Sequence, residues 1–513
     1  MNGAESLLRS ALAAGVEVCF ANPGTTELPL VTALDRVTGM RAVLGLFEGV
    51  CTGAADGYAR LRDHPALCLL HLGPGFANGI ANLHNARRAH SPVVNVVGDH
   101  ARWHRGADAP LASDIASLAR PVSVWVHASD DPARVGSDLV AAVAAATAPP
   151  GGVATLITPA DCLWEAAPAP ARPLPVPAPR IDAGRVEAAA RALRGGGRSA
   201  LLLGGRALRE PGLRAAARVA GASGAELWGE TFPARAERGR GLPRPTRLPY
   251  FPEQAVEALA GVETLVLAGA RDPVSFFAYP GVPSRLAPPA ARTLALAGDR
   301  EDASRALEAL ADALDAPAAP PPPDAPAPAA PSSGALDPGA LGAILASLQP
   351  EGAIVVDEGA TSGLPYYLAA QAAPPHTYLS LTGGAIGQGM PCATGAAIAC
   401  PDRRVISLQA DGSGLYTLQA LWTQAREGLD VLTVVCANRS YRILQIELAR
   451  AGVAEPGPAA RSLTDLGRPA PDWVELAAGF GVPGARVESV GELAAEIRRG
   501  LAEPGPRLIE VPL

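Results

Sequence analysis

Long apolar runs are missing from this 513-residue chain. No stretch of 18 apolar residues occurs, so no membrane-spanning helix is expected. Cysteine is scarce and unpatterned. The seven residues (Cys19, Cys51, Cys68, Cys162, Cys392, Cys400, Cys436) are odd in number and form no C-x-x-C pair. That spacing excludes a disulfide framework and points to reduced, buried thiols. Charge of one sign is also in short supply. Lys and Arg total 43 against 50 Asp and Glu, the formal net charge is −7, and no long run of one sign appears. Nucleic acid is therefore not expected as an obligatory partner. The first residues, MNGAESLLRSALAAGVEVCF, place Glu5 and Arg9 inside an apolar pattern. They lack the basic start and long apolar core of a signal peptide. The expectation is a cytoplasmic protein that acts on small molecules, with no membrane partner.

Apolar residues make up 48% of the chain, enough for a sizeable core in each of about three domains. Two Pro-rich stretches, 167–180 and 316–334, read as extended, semi-rigid connectors. They leave segments 1–166, 181–315 and 335–513. Each segment alternates Val- and Leu-rich runs with helical patterns. VEVCFAN, AVLGLF, ALCLL and VVNVVGD serve the first segment; ALLLGG, ETLVLAGA and TLALAGD the second; AIVVDEG, RVISLQADG, DVLTVVCAN and PRLIEVPL the third. Such runs between glycine turns and helices are buried parallel strands, so the expected fold class is α/β with three open parallel-sheet domains.

Ligands of open parallel sheets bind beyond the carboxyl ends of the strands. The polar residues at those ends are Asn22, Glu48, His71, Asp99, Thr361, Asp411 and Asn438. Asp411 and Asn438 follow two runs joined by one helix, so both converge at one end of the sheet. A carboxylate plus an amide oxygen suits Mg²⁺, which leaves its other positions to water and phosphate. The backbone N–H groups of Gly412-Ser413, at the start of the next helix, could receive that phosphate. Glu48 stands among Leu46, Phe47 and Val50, which should largely desolvate it. His71 follows ALCLL and is suited to moving protons. Asn78 and Asn82, four apart, share one helix face. His100, His104 and Asp108 lie close together, but their surroundings offer no tetrahedral nitrogen and sulfur set. The stretch TGGAIGQGMP is rich in glycine, but no legible strand leads into it, so it is weak as a dinucleotide loop.

Ala410-Asp411-Gly412 and Ala437-Asn438 resemble the thiamine diphosphate (ThDP) signature, in which GDG is followed after a fixed gap by NN. FANPGTTELP, EGVCTGAADGYAR, HLGPG, AHSPVV and GGAIGQGMPCATGAA, in that order, look like segments of the acetolactate synthase and benzoylformate decarboxylase group. The likeness covers the first and third segments; the middle one matches only in pattern. It implies a pyrimidine-binding, a central and a diphosphate-binding domain. It also implies that the Asp411 and Asn438 side chains and the Ser440 carbonyl hold Mg²⁺ against the cofactor's diphosphate. Thr361, Gly412, Ser413 and Tyr441 would border that diphosphate. Glu48 would bond the pyrimidine N1′, the Gly384 carbonyl would accept from the 4′-amine, and Ile386 would wedge between the two rings. Thr25, Gly75 and Asn78 would line the rest, with His71 at the substrate end. Ala410 and Ala437 depart from the signature and would strain the chain if either needed φ > 0.

The resemblance implies a ThDP- and Mg²⁺-dependent 2-keto acid decarboxylase or carboligase, acetolactate synthase-like and acting on pyruvate or a related acid. The alternative is release of an aldehyde from an aromatic 2-keto acid. An alternative of another class is a catalytically degenerate ThDP-fold binding or regulatory subunit. A nicotinamide-dependent oxidoreductase is not expected. FAD has no clear motif and is left open. RSYRILQIEL lacks an aromatic-rich mobile loop, and Phe276, Phe277 and Tyr279 stand where a benzoylformate-type decarboxylase offers a histidine. Because the family shares each cofactor between two chains, a homodimer is the expected minimum and a homotetramer is plausible.

Overall fold

The computed structural model describes residues 1–318 and 328–513; residues 319–327, within the Pro-rich stretch 316–334, lie outside the described residues. The chain packs as two units. One comprises Met1–Val176, Pro328–Ala370 and Leu381–Leu513; the other comprises Pro177–Ala327 and Gln371–Ser380.

The strands, in chain order, are β1 (Val18–Asn22), β2 (Arg41–Leu44), β3 (Ala66–Leu70), β4 (Val93–Asp99), β5 (Trp125–Ala128) and β6 (Val153–Pro159). The middle segment supplies β7 (Ser199–Leu203), β8 (Glu226–Gly229), β9 (Ala236–Arg238), β10 (Thr246–Arg247), β11 (Thr264–Ala268) and β12 (Arg292–Ala297). The remainder are β13 (Ile354–Glu358), β14 (His376–Ser380), β15 (Val405–Ala410), β16 (Val431–Ala437), β17 (Gly484–Arg486) and β18 (Arg507–Pro512).

In the first unit, one sheet runs β2-β1-β3-β4-β6-β5 and is parallel throughout. The other contains the parallel series β17-β18-β16-β15-β13. In the second unit, β10-β8-β7-β11-β12 form a parallel sheet. There β14 pairs antiparallel with β9, residue Tyr378 opposite Ala236. Strands β3, β6, β7, β11, β13 and β16 are buried along their whole length, as strands covered by helices on both faces must be. Strand β14 ends just before Thr382, so a strand does lead into the glycine-rich stretch, contrary to the sequence expectation. All seven cysteines are free and six are buried. Among the described residues no helix is long and apolar enough to cross a membrane.

Two helices set the frame of the site. Glu48–Arg62 starts from extended Phe47 and stops at Asp63, which turns left-handed at φ 52°. Residues Glu48 through Arg60 are all buried, which its Gly- and Ala-rich composition permits. The second helix, Gly389–Ala399, is buried throughout. The two pack without room for side chains between their backbones. A Cβ on Gly57 would sit 2.1 Å from the Cys392 carbonyl oxygen, and one on Gly395 only 1.8 Å from that of Ala54. Beside this crossing the buried Arg60–Asp56 pair (2.7 Å) is satisfied further by Ser91 and Gln388, which donate to Asp56. A buried charge pair of this kind survives only when its remaining lone pairs are occupied.

Candidate cofactor site

Strand β1 delivers the chain into the turn Thr25–Glu27, and β3 delivers it to His71, the residue before helix Leu72–Ala89. Glu27 is fully buried. Its carboxylate accepts from the Gly24 N–H (2.8 Å) and the Thr26 hydroxyl (2.6 Å), and lies 2.7 Å from His71 Nδ1. The pairing turns the ring so that Nδ1 faces inward. Thr25, the residue expected at this place, is exposed; the hydroxyl near the histidine belongs to Thr26, 3.3 Å from Nδ1. Glu48, at the first position of its helix, is also buried and accepts from Asn78 Nδ2 at 3.0 Å. Gly75 separates the two groups: a Cβ there would meet Glu48 Oε1 at 3.0 Å and His71 Cβ at 3.3 Å.

The third segment contributes three strand ends. At β13, buried Glu358 accepts from the N–H groups of Gly387, Gln388 and Gly389 and from Gln409 Nε2. Burial nevertheless raises the pKa of this carboxyl, although these donors oppose the rise. Glu358 thereby shapes the loop that presents exposed Gly384 (φ 75°) and half-buried Ile386. Thr361 lies three residues after Glu358, in the turn Ala360–Ser362. At β15, Asp411 opens a one-turn helix, with Gly412 and Ser413 buried beside it. Ala410 pairs with Cys436 on β16, so Asp411 is level with Ala437, one residue before Asn438. Asp411 accepts from its own neighbour Gly412 N–H (2.8 Å) and from Arg439 N–H (2.6 Å). It makes no ion pair among the described residues, and burial raises its pKa. Asn438 Oδ1 accepts from Ser440 N–H and hydroxyl, at 3.0 and 3.3 Å. The Tyr441 ring lies over Gly412, where a Cβ would be 2.5 Å from it.

Backbone strain marks these strand ends. Leu72 follows His71 at φ 54°, Ala360 precedes Thr361 at φ 47°, and Arg439 follows Asn438 at φ 54°. Non-glycine residues held left-handed persist only where the surroundings over-determine them, and they cluster at functional sites. Ala410, by contrast, is extended at φ −79°, and Ala437 lies within β16. Neither departure from the signature strains the backbone.

One chain ties the two halves together by residues the sequence reading passed over or left undecided. Asn82 Nδ2 donates to the carbonyls of Gly49 (2.8 Å) and Gly387 (3.2 Å). Asn85 brackets Ala385, donating to its carbonyl at 2.7 Å and accepting from its N–H at 3.2 Å. No hydrogen bond joins Glu48 to Asp411 or Asn438 among the described residues. Glu27, Thr26, Asn85 and Glu358 went unremarked in the sequence. For Glu27 a local signal existed, since Gly24-x-x-Glu27 forms a capping box. His100 and His104 stack edge-on with ring centres 5.4 Å apart, and Asp108 is exposed. No cluster of three His, Cys, Asp or Glu able to hold a metal occurs among the described residues. In the second unit, Phe276 packs edge-on against Phe232 (5.6 Å) and Phe277 (4.9 Å). Also there, the Gly205 N–H donates to Glu230, whose pKa burial pushes up to about 7.

Comparison with known proteins places this geometry. Residues 1–118 match the family model "Thiamine pyrophosphate enzyme, N-terminal TPP binding domain", and residues 359–511 match its C-terminal TPP binding domain counterpart. The chain is 51% identical to a Mycobacterium tuberculosis protein named "Putative acetolactate synthase large subunit IlvX", over 100% of this chain and 99% of that one. It is 31% identical to benzoylformate decarboxylase of Pseudomonas aeruginosa, over 97% and 96% of the two. Among solved structures, the thiamine diphosphate-dependent 4-hydroxybenzoylformate decarboxylase of Rhodococcus jostii RHA1 superimposes with a TM-score of 0.88 at 27% identity, covering 100% and 99%.

Proposed function

The chain belongs to the thiamine pyrophosphate-dependent enzymes, and from that premise we propose that it decarboxylates a 2-keto acid with ThDP and Mg²⁺ bound. The observation that carries the reading is the pairing of buried Glu48 with His71 across Gly75, where no side chain fills the space between them.

The residues present suit the absent groups. Asp411 is a buried carboxylate without an ion-pair partner among the described residues, a state a divalent cation would relieve. Its partners at the cation would be Asn438 and the Ser440 carbonyl. Gly412 leaves a cradle under Tyr441 that any Cβ would fill. When bound, ThDP supplies a nucleophilic carbon and an electron sink for the bond broken on loss of carbon dioxide. The chain's own residues do the rest. Glu48 would hold a proton at the pyrimidine nitrogen, Ile386 and the Gly384 carbonyl would hold the cofactor's rings, and Asn78 orients Glu48. His71 orients the acid and moves a proton at its outward nitrogen, Nε2.

Two fates of the product are carried by different observations. Carboligation, as in acetolactate formation from pyruvate, is favoured by the 51% identity to the M. tuberculosis relative. Release of an aldehyde from an aromatic acid is favoured by His71 and by the full-length likeness to benzoylformate decarboxylase. We assign a homodimer as the smallest active form. Large apolar side chains close in sequence to the site residues are exposed (Leu28 and Leu46 beside Glu27 and Glu48, Leu364 and Tyr416 after Thr361 and Asp411), as a second copy would require. The test is a panel of 2-keto acids, pyruvate and benzoylformate included, with ThDP and Mg²⁺, reading carbon dioxide and products together. At least one acid should be turned over, and Glu48→Gln should lower that rate by about 10²-fold or more. Cofactor binding without turnover of any acid, or a Glu48→Gln rate equal to wild type, would refute the proposal.

A further inference from the structure

We infer that Glu27 is the positioning residue of His71: it holds the proton on Nδ1 and thereby commits Nε2 to the substrate. The inference rests on the reading above, in which His71 serves a 2-keto acid.

Three observations carry it. First, Glu27 is fully buried yet carries no Lys or Arg partner among the described residues. A carboxyl in that position is costly unless its lone pairs are used. They are used by the Gly24 N–H, the Thr26 hydroxyl and His71, at 2.8, 2.6 and 2.7 Å. Second, the carboxylate is walled in: a Cβ on Gly98 would lie 1.6 Å from Glu27 Oε1 and one on Gly24 2.3 Å from His71 Nδ1. The backbone of Gly98 closes on the acid and that of Gly24 on the Nδ1 side of the ring, each leaving no room for a side chain between. Third, the histidine itself stands on a strained elbow, because buried Leu72 holds φ 54° directly after it. A turn cap alone would need only the Gly24 bond. It would not require a fully buried acid, a histidine sharing the capping oxygen Oε2 and a left-handed leucine directly after that histidine.

The chemistry follows from imidazole's two nitrogens. A carboxylate at Nδ1 accepts a proton from it, so the neutral ring carries hydrogen on Nδ1 and a lone pair on Nε2. Nε2 has no hydrogen-bond partner among the described residues, and the His71 side chain is 23% exposed. Nε2 is then the atom that takes up and returns a proton at the substrate, while Glu27 never touches the substrate.

Two measurements on the full-length protein test the assignment. The first needs no turnover: histidine ¹⁵N resonances, with His71 identified by its loss in His71→Gln, recorded from neutral to alkaline pH. In wild type Nδ1 should remain a protonated nitrogen throughout, and in Glu27→Gln, whose amide presents N–H to the ring, Nδ1 should lose its proton as the ring becomes neutral. An Nδ1 that is bare in wild type, or unchanged by Glu27→Gln, overturns the inference whatever the substrate proves to be. The second is a double-mutant cycle on the acid turned over in the panel above. Glu27→Gln should lower kcat/KM by about 30- to 100-fold, mostly through kcat, with ThDP affinity kept within about twofold. In the His71→Ala background the same change should cost less than about twofold. Losses that multiply would assign Glu27 to the fold instead. Should Glu27→Gln fail to fold, Glu27→Asp serves in its place: it keeps the charge, withdraws it from Nδ1, and should give the same non-additive cycle. Failure to find any substrate, with the ¹⁵N result intact, would count against the proposed reaction and leave the Glu27–His71 pairing standing.

Discussion

Gly395→Ala is expected to destabilise the first unit even though alanine is the better helix former. Gly395 sits in the helix Gly389–Ala399, facing the helix Glu48–Arg62. The added Cβ would lie 1.8 Å from the Ala54 carbonyl oxygen and 2.8 Å from the Tyr58 backbone nitrogen. Carbon and oxygen in contact stand about 3.5 Å apart, so the helices would have to separate by well over 1 Å. Backbone cannot yield as a flexible side chain can. Overpacking of this kind costs about 1–3 kcal/mol, or more where backbone must move. Against that, replacing Gly by Ala inside a helix gains about 1 kcal/mol. The net expectation is a loss of about 1–2 kcal/mol. Gly221, in the helix Glu210–Ser223, supplies the control: a Cβ there meets nothing within 4 Å, so Gly221→Ala should stabilise by about 0.5–1 kcal/mol. Urea unfolding of both variants, with the wild type alongside, reads the two signs. Separation of the helices would also pull on the Gln388–Asp56 and Asn82–Gly387 hydrogen bonds, so ThDP affinity should fall with stability in Gly395→Ala. A Gly395→Ala protein as stable as wild type, or more so, would refute the close crossing and with it the account of how the glycine loop is tied to the helix Glu48–Arg62.

Mixing separately inactive Glu48→Gln and Asp411→Asn chains should restore about a quarter of wild-type activity if each site combines Glu48 of one copy with Asp411 of another, because half the dimers would hold one intact site. No recovery after subunit exchange would place both residues of a site on one chain. Ala410→Gly should leave ThDP affinity unchanged and cost up to about 1 kcal/mol of stability, since Ala410 already has ordinary extended backbone (φ −79°); a gain in affinity on calorimetry would contradict the absence of strain. Glu230 has its pKa raised from 4.5 to about 7 by burial, so the folded protein keeps this proton to higher pH than the unfolded chain. Its contribution is present below about 4.5 and lost as pH rises through about 7. Glu230→Gln should therefore flatten the fall in stability between those limits by at most about 3 kcal/mol, measured by denaturant unfolding at several pH values, and an unchanged profile would argue against a buried acid there.

The strands the sequence made plain were the mostly apolar ones with turn signals beside them: β3, β7, β11, β15 and β16 are buried along all or nearly all of their length. The short ones, β9, β10 and β17, were not legible, because two or three half-buried residues carry no period. Strand β14 hid for another reason. Its residues, His-Thr-Tyr-Leu-Ser, are polar in type although all five are buried. Strand β6 is fully buried, and two threonines break its run of Val, Leu and Ile.

By itself the sequence determined the chemistry of the strand ends. Asp411, Asn438, Glu48 and His71 each follow an apolar run, and parallel-sheet geometry obliges such residues to gather beyond the strands' carboxyl ends. Tertiary structure alone decided what holds them. Glu27 comes to His71 from 44 residues away, Glu358 folds the loop of Ile386 from about thirty, and Asn82 reaches Gly387 across 305. No local pattern encodes those meetings. They arise because buried carboxylates and amides must find partners, and which partners lie within reach is settled only when the helices close on the sheets.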